Sequence, residues 1–156
     1  MAIDALYKVA YDEAVRALSE QQAVVDGLRS RAGVLFSAAA VTTSFLGAQA
    51  LSGGNGSLFS WLALTAFTGV ATAFLAILWP RRWEFTANPH RVIEACIESA
   101  NSDSLEDLHR ELSFHMSSSY VENREAQERL FVFFQIANVL FAIELVLWIG
   151  AIAIVA

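Results

Sequence analysis

The stretch that decides the fold is "IANVLFAIELVLWIGAIAIVA", residues 136–156, almost wholly apolar with the single carboxylate Glu144 at its centre. A membrane-spanning helix needs about 20 predominantly apolar residues. From Leu130 onward the only formal charge is Glu144. Working back along the chain, a second charge-free block runs from Ala32 to Pro80 and is divided by "LSGGNGS" at 51–57. That block holds two spans. The expectation is an all-α integral membrane protein with three transmembrane helices at 32–51, 58–79 and 131–154. A leader at 1–31 and a middle segment at 81–129 carry the remaining charge. Hydrophobic residues make up 56% of the 156, above the roughly 45–50% of soluble domains.

Charge sets the expected topology. The ten basic residues lie only in 1–31 and 81–129. The positive-inside rule therefore places both segments in the cytoplasm, with the Gly-rich turn and the C-terminus outside. Arg29 and Arg31, Arg81 and Arg82, and Arg124 and Arg129 stand at the three membrane boundaries, where anionic headgroups attract them. Trp79 and Trp83 bracket the middle Arg pair, and amphipathic rings settle at that level. The long polar leader is unlike a signal peptide, so no cleavage is expected.

The leader carries a weak heptad seam, Ile3, Tyr7, Ala10, Ala14, Ala17, Gln21, Val24 and Leu28, which needs a partner helix. No Pro interrupts its passage into the first span, and Gly27 and Gly33 are the expected bend points. Pro80 stops the second span. "TANPHRVIEACIESA" at 86–100 predicts a short helix capped by Asn88 with Pro89 in its first turn. The last helix is expected to start at Asp103 or Ser104 and to run through stalk and span together. A continuous helix of roughly fifty residues is ~75 Å long. "HMSSSY" at 115–120 is its softest point, because Ser competes with the backbone ladder.

Two stripes of small residues suit close helix packing in lipid. The first span has Gly33, Ser37, Ala40, Ser44 and Gly47; the second has Thr65, Gly69, Thr72 and Ala76. A tight hairpin between these spans is the plainer reading. A pore wall lined by the hydroxyls is the functional one.

Catalytic chemistry has no signature here. There is no P-loop, GxSxG, HExxH or dinucleotide fingerprint, so the chain reads as non-enzymatic. "EDLH" at 106–109 has Glu-x-x-His spacing, but a di-iron bundle needs two such motifs and two further Glu. Glu111 and His115 share a helix face, and a solvated stalk is the simpler account of them. No metal and no cofactor is expected. The lone Cys96, between Glu94 and Glu98, reads as an inert thiol. Residues 1–31 carry four bases and five acids, and 81–129 six bases and ten acids. That balance disfavours nucleic acid and leaves a basic cytoplasmic protein as a conceivable partner beside the membrane lipids.

The order of parts, with "SRAG" before the first span and "WPRR" after the second, resembles the SLATT group of small bacterial membrane proteins over residues 20–110. The third span is an addition to that group's two. The resemblance implies a membrane-perturbing effector beside nucleotide-signalling defence systems, in the bacterial inner membrane. It carries no functional residue over.

Glu144 is the sharpest candidate. An acid near the bilayer midplane costs about 2.5–3.5 kcal/mol on insertion scales, so it rarely faces lipid. On the helix it shares a stripe with Ala137, Phe141, Trp148 and Ala151, with Asn138 to one flank. No base lies in any span to pair with it. Two readings stand. As a structural tie, the neutral acid hydrogen-bonds a hydroxyl such as Ser44 or Thr72. As a functional group, a ring of Glu144 side chains surrounds the axis of a homo-oligomer and attracts cations. The expectation that three helices leave Glu144 little shelter favours the oligomer. On these readings Glu144→Gln spares assembly and weakens conductance, while Glu144→Leu harms both.

Overall fold

Pro80 has no N–H to offer the helix ladder and forces the residue before it out of helical geometry. Trp79 accordingly ends a helix with φ −52° and ψ 127°. That helix, α2, spans Leu58–Leu78 and opens on Ser57, whose side chain accepts from the Ser60 backbone N–H at 3.3 Å. This is an N-cap of the expected kind. A computed structural model of the chain describes residues 2–52, 57–80, 83 and 105–155. Side chains are described for 6–52, 57–80, 83 and 110–154. Two longer helices flank α2: α1, Ala2–Leu51, and α3, Leu105–Val155. Among the described residues there is no strand.

All three helices are long and apolar enough to cross a membrane. α1 is unbroken through Gly27 and Gly33, and α3 is unbroken through 115–120. Gly and Ser weaken a helix by local terms of about 1 kcal/mol or less, and packing on the buried face exceeds them. The short helix expected at 86–100, its cap Asn88, Cys96, the Arg81/Arg82 pair, the proposed caps Asp103 and Ser104, and the side chains of "EDLH" lie outside the described residues.

The chain divides into two units. The first comprises Met1–Asp26 and Arg81–Gln127. Here α1 and α3 are joined through side-chain bonds to the other helix's backbone. The Gln21 amide donates to the Tyr120 carbonyl at 3.0 Å, and the Ser113 hydroxyl to the Tyr7 carbonyl at 3.3 Å. The buried α1 positions differ from the expected seam. Leu18 and Val25 are buried while Val24 is 41% exposed. The seam runs Tyr7, Tyr11, Ala14, Leu18, Gln21, Val25, Leu28, with half-buried to buried character throughout. The expected seam kept its phase at Tyr7, Ala14, Gln21 and Leu28 and slipped by one between them. The bulkier Tyr11 and Leu18 win the core over Ala10 and Ala17, because more apolar area leaves solvent, and the same phase carries Val25 inward in place of Val24.

The second unit comprises Gly27–Pro80 and Glu128–Ala156. Its core is layered at seven-residue spacing. On α3 the buried residues include Leu130, Ala137, Glu144 and Ala151; on α2, Ala63, Val70 and Ile77; on α1, Ala32 and Ala39. A strict seven-residue repeat is the signature of left-handed supercoiled packing. Phe36 stacks on Phe74 at 4.6 Å and on Phe67 at 6.1 Å, joining α1 to α2.

Two of the glycines, Gly47 and Gly69, each receive a side chain of α3. A Cβ on Gly47 would stand 3.1 Å from the Trp148 ring, and one on Gly69 would stand 2.8 Å from a Leu140 methyl. Large α3 side chains need recesses, and glycine supplies them. Gly33 has nothing near its missing Cβ.

These two contacts predict unequal mutants. Gly47→Ala meets a rigid buried ring and should cost about 1–3 kcal/mol, the usual range for overpacking. Gly69→Ala meets the rotatable end of Leu140 and gains up to about 1 kcal/mol of helix propensity, so it should be near neutral. Unfolding in mixed detergent micelles ranks them, and the reverse order would contradict this packing.

Candidate functional site: the enclosed carboxyl of Glu144

Glu144 is 0% exposed. Its neighbours on α3, Ala137 one way and Trp148 and Ala151 the other, are buried with it, and Phe141 is half-buried. The acid therefore points into its own chain's bundle. The expectation that three helices would leave it unsheltered is corrected: the acid is buried within its own chain, with Thr43 of α1 against it. Below it in the same packing, Trp148 fills a pocket bounded by Ala50, Ala63 and Ala151, with Leu46, Leu64, Leu147 and Ile152 around them. Small residues on two helices let the largest side chain of the third sit fully inside.

The Thr43 hydroxyl of α1 donates to Glu144 Oε1. Oε2 is buried without a partner. Trp148, one helical turn further on, faces the same carboxyl, yet its indole Nε1 is also buried without a partner. A buried acceptor and a buried donor thus lie near one another short of bonding geometry. Most buried polar atoms are paired, so an orphaned pair is a departure that needs a reason. No Lys or Arg occurs between Ala32 and Pro80 or beyond Leu130 to neutralise the acid. An ionised carboxylate isolated from water is costly. The site accommodates it as a neutral acid or with a cation brought to it.

The other polar residues named from sequence are elsewhere. Ser44 donates to the Ala40 carbonyl, Thr72 to Thr68 and Asn138 to Phe134, each within its own helix, and all three are exposed. Ser37 and Thr65 are likewise exposed and bonded to Gly33 and Trp61. Ala40 is half-buried. None of these meets Glu144. The partner that sequence reasoning missed is Thr43. It stands in the run Thr42, Thr43, Ser44, whose members point about 100° apart. Only the phase of α1 against α3 selects among them.

Of the boundary residues, Trp79 is exposed, Trp83 and Arg29 are half-buried, and Arg31, Arg124 and Arg129 are exposed. Among the described residues, no group of three or more His, Cys, Asp or Glu side chains is placed to hold a metal. No protein-family model, curated protein or solved structure matches the chain.

Proposed function

We propose that the chain is a non-enzymatic protein of the bacterial inner membrane that self-associates and forms or gates an ion-conducting path, with Glu144 as the controlling group. The observation that carries this reading is the enclosed carboxyl: one oxygen tied to Thr43, the other without a partner, and no base in reach. Intramembrane carboxylates are functional by default, because lipid penalises them. Enclosure inside one chain supports a gate between helices over a ring around an axis between chains. Neutral, the acid ties α3 to α1 through Thr43. Ionised, it draws a cation or water into the bundle and loosens that tie. The role of membrane-perturbing defence effector belongs to the same proposal.

A second reading rests on the first unit. Its α1–α3 pair has a groove lined by Ala10, Glu13, Ala14, Ala17, Ser113, Ser117 and Tyr120. Shallow and lined by small residues, it suits a helix of a cytoplasmic partner. Under that reading the chain is a structural or regulatory membrane subunit and passes no current. Cation conductance of the purified protein separates the two.

The orientation, with N-terminus inside and C-terminus outside, has its own test in a Cys96→Ser background. Ser57→Cys should react with an impermeant thiol reagent applied to intact cells, and Ser102→Cys should not. The opposite pattern would overturn the positive-inside argument.

A further inference from the structure

We infer that the outer face of α3 is the self-association surface, and that a second copy of this chain occupies it in parallel. The inference rests on the self-association in the proposed function and names where it happens.

Its starting point is a polar pair on the wrong side of the helix. Gln135 and Asn138 are exposed, in the most apolar segment of the chain. Exposed hydroxyls in the apolar segments of α1 and α2 are satisfied at home: Ser37, Ser44, Thr65, Thr68 and Thr72 each donate to the carbonyl four residues back. A primary amide has two N–H donors and a carbonyl acceptor. Asn138 spends one N–H on the Phe134 carbonyl at 2.7 Å, which leaves a donor and the acceptor. Lipid tails supply neither, so polar side chains at this depth turn toward another helix.

The two amides belong to a second seam. Phe131, Gln135, Asn138, Ala142, Leu145 and Ile149 alternate at spacings of four and three. Phe131, Gln135, Asn138, Ala142 and Ile149 are exposed, and Leu145 is half-buried. The inward seam of the same helix already holds Ala137, Glu144 and Ala151. A helix with two heptad seams, one filled and one open, is built to pack on both sides. By sequence count, Phe114 and Val121 of the first unit fall in the phase of the open seam. They are 63% and 64% exposed, an apolar exposure outside the spanning segments. Lipid explains neither departure, and a helix laid along each stretch explains both.

A second copy fits this seam better than an unrelated helix. Two copies insert with the same orientation, so their α3 helices run parallel. Around a two-fold axis each residue then meets its own counterpart. An amide is complementary to itself, donor to acceptor, so Gln135 meets Gln135 and Asn138 meets Asn138 at equal depth. An unrelated partner would have to present two amides at the same two depths.

Cysteine crosslinking of the full chain in native membranes, in a Cys96→Ser background, tests this. Oxidation of Ala142→Cys should give predominantly a disulfide-linked dimer. Ile143→Cys, on the flank away from the seam, should stay monomeric. Joint replacement of Gln135 and Asn138 by Leu should lower the dimerisation constant about tenfold, the combined effect of two interhelical hydrogen bonds of average strength in lipid. Both residues are exposed, so the bundle of each chain is retained. Dimer from Ile143→Cys but not Ala142→Cys would move the interface to another face, overturning the inference while sparing self-association. Capture of Ala142→Cys by a chain of different mass would overturn the second copy. An unchanged dimerisation constant in the Leu pair would overturn the role of the amides. Monomer alone from every cysteine and with long-armed crosslinkers would remove self-association as well.

Discussion

Replacing Glu144 by Gln is expected to leave the three-helix packing in place and to lower cation conductance about tenfold. Gln keeps the size of the side chain and can still accept from Thr43, but it cannot carry charge. A unit charge about 4 Å from a passing cation is worth up to about 4 kcal/mol at an effective dielectric near 20. A tenfold loss, ~1.4 kcal/mol, is a modest share of that. The enclosure of the acid changes what Glu144→Leu should do. A carboxyl exposed between chains would make Leu disrupt assembly. A carboxyl sealed inside one chain can be replaced by an apolar residue of similar volume with little loss, and such exchanges are often neutral or stabilising. Thr43, left without its acceptor, can turn to its own helix's carbonyl four residues back. Leu should therefore keep the fold and lose the conductance and any cell toxicity. If Leu instead unfolds the bundle while Gln matches wild type in conductance, Glu144 is a structural tie only.

Trp148→Ala should be the most destabilising single change, by about 3–5 kcal/mol, the range for removing a fully buried large aromatic. The ring is 0% exposed, packs with Ala50, Ala63 and Ala151, and lies where a Cβ on Gly47 would meet it. Alanines and a glycine have no side chain long enough to refill the space. The loss is measured as the shift in helix unfolding with increasing denaturing detergent. A change under about 1 kcal/mol would mean that α3 does not seat as described, since even an Ile→Val truncation in a core reaches that size.

The architecture was legible because helices long and apolar enough to cross a membrane need long charge-free runs. Two charge-free blocks and the turn between them are enough to count three such helices, and Pro80 marks where α2 stops to within a residue. The stripe of Glu144 was legible too, because helical geometry alone groups it with Ala137, Trp148 and Ala151. What the sequence left open was the phase of one helix against another. The leader seam slipped by one at every second position because Ala10 and Ala17 are apolar enough to satisfy the pattern, and only packing rewards the larger Tyr11 and Leu18. Gly47 and Gly69 were recognisable as packing residues, but not as recesses for Trp148 and Leu140, since small-residue spacing does not name the helix it serves. For the same reason the sequence points to hydroxyls such as Ser44 or Thr72 without singling out Thr43. Asn138 was visible as a polar residue in an apolar helix, and its meaning, with that of Gln135, depended on knowing that the inward seam was already filled.

The most direct test of the account is the current carried by the purified full-length chain in a planar bilayer under a salt gradient. The account predicts discrete conductance steps whose reversal potential follows the cation gradient, reduced about tenfold by Glu144→Gln, the ~1.4 kcal/mol argued from charge above. Folded, inserted protein that passes no current above bare lipid at any protein-to-lipid ratio would contradict it, and would leave the chain as a membrane subunit that docks a partner.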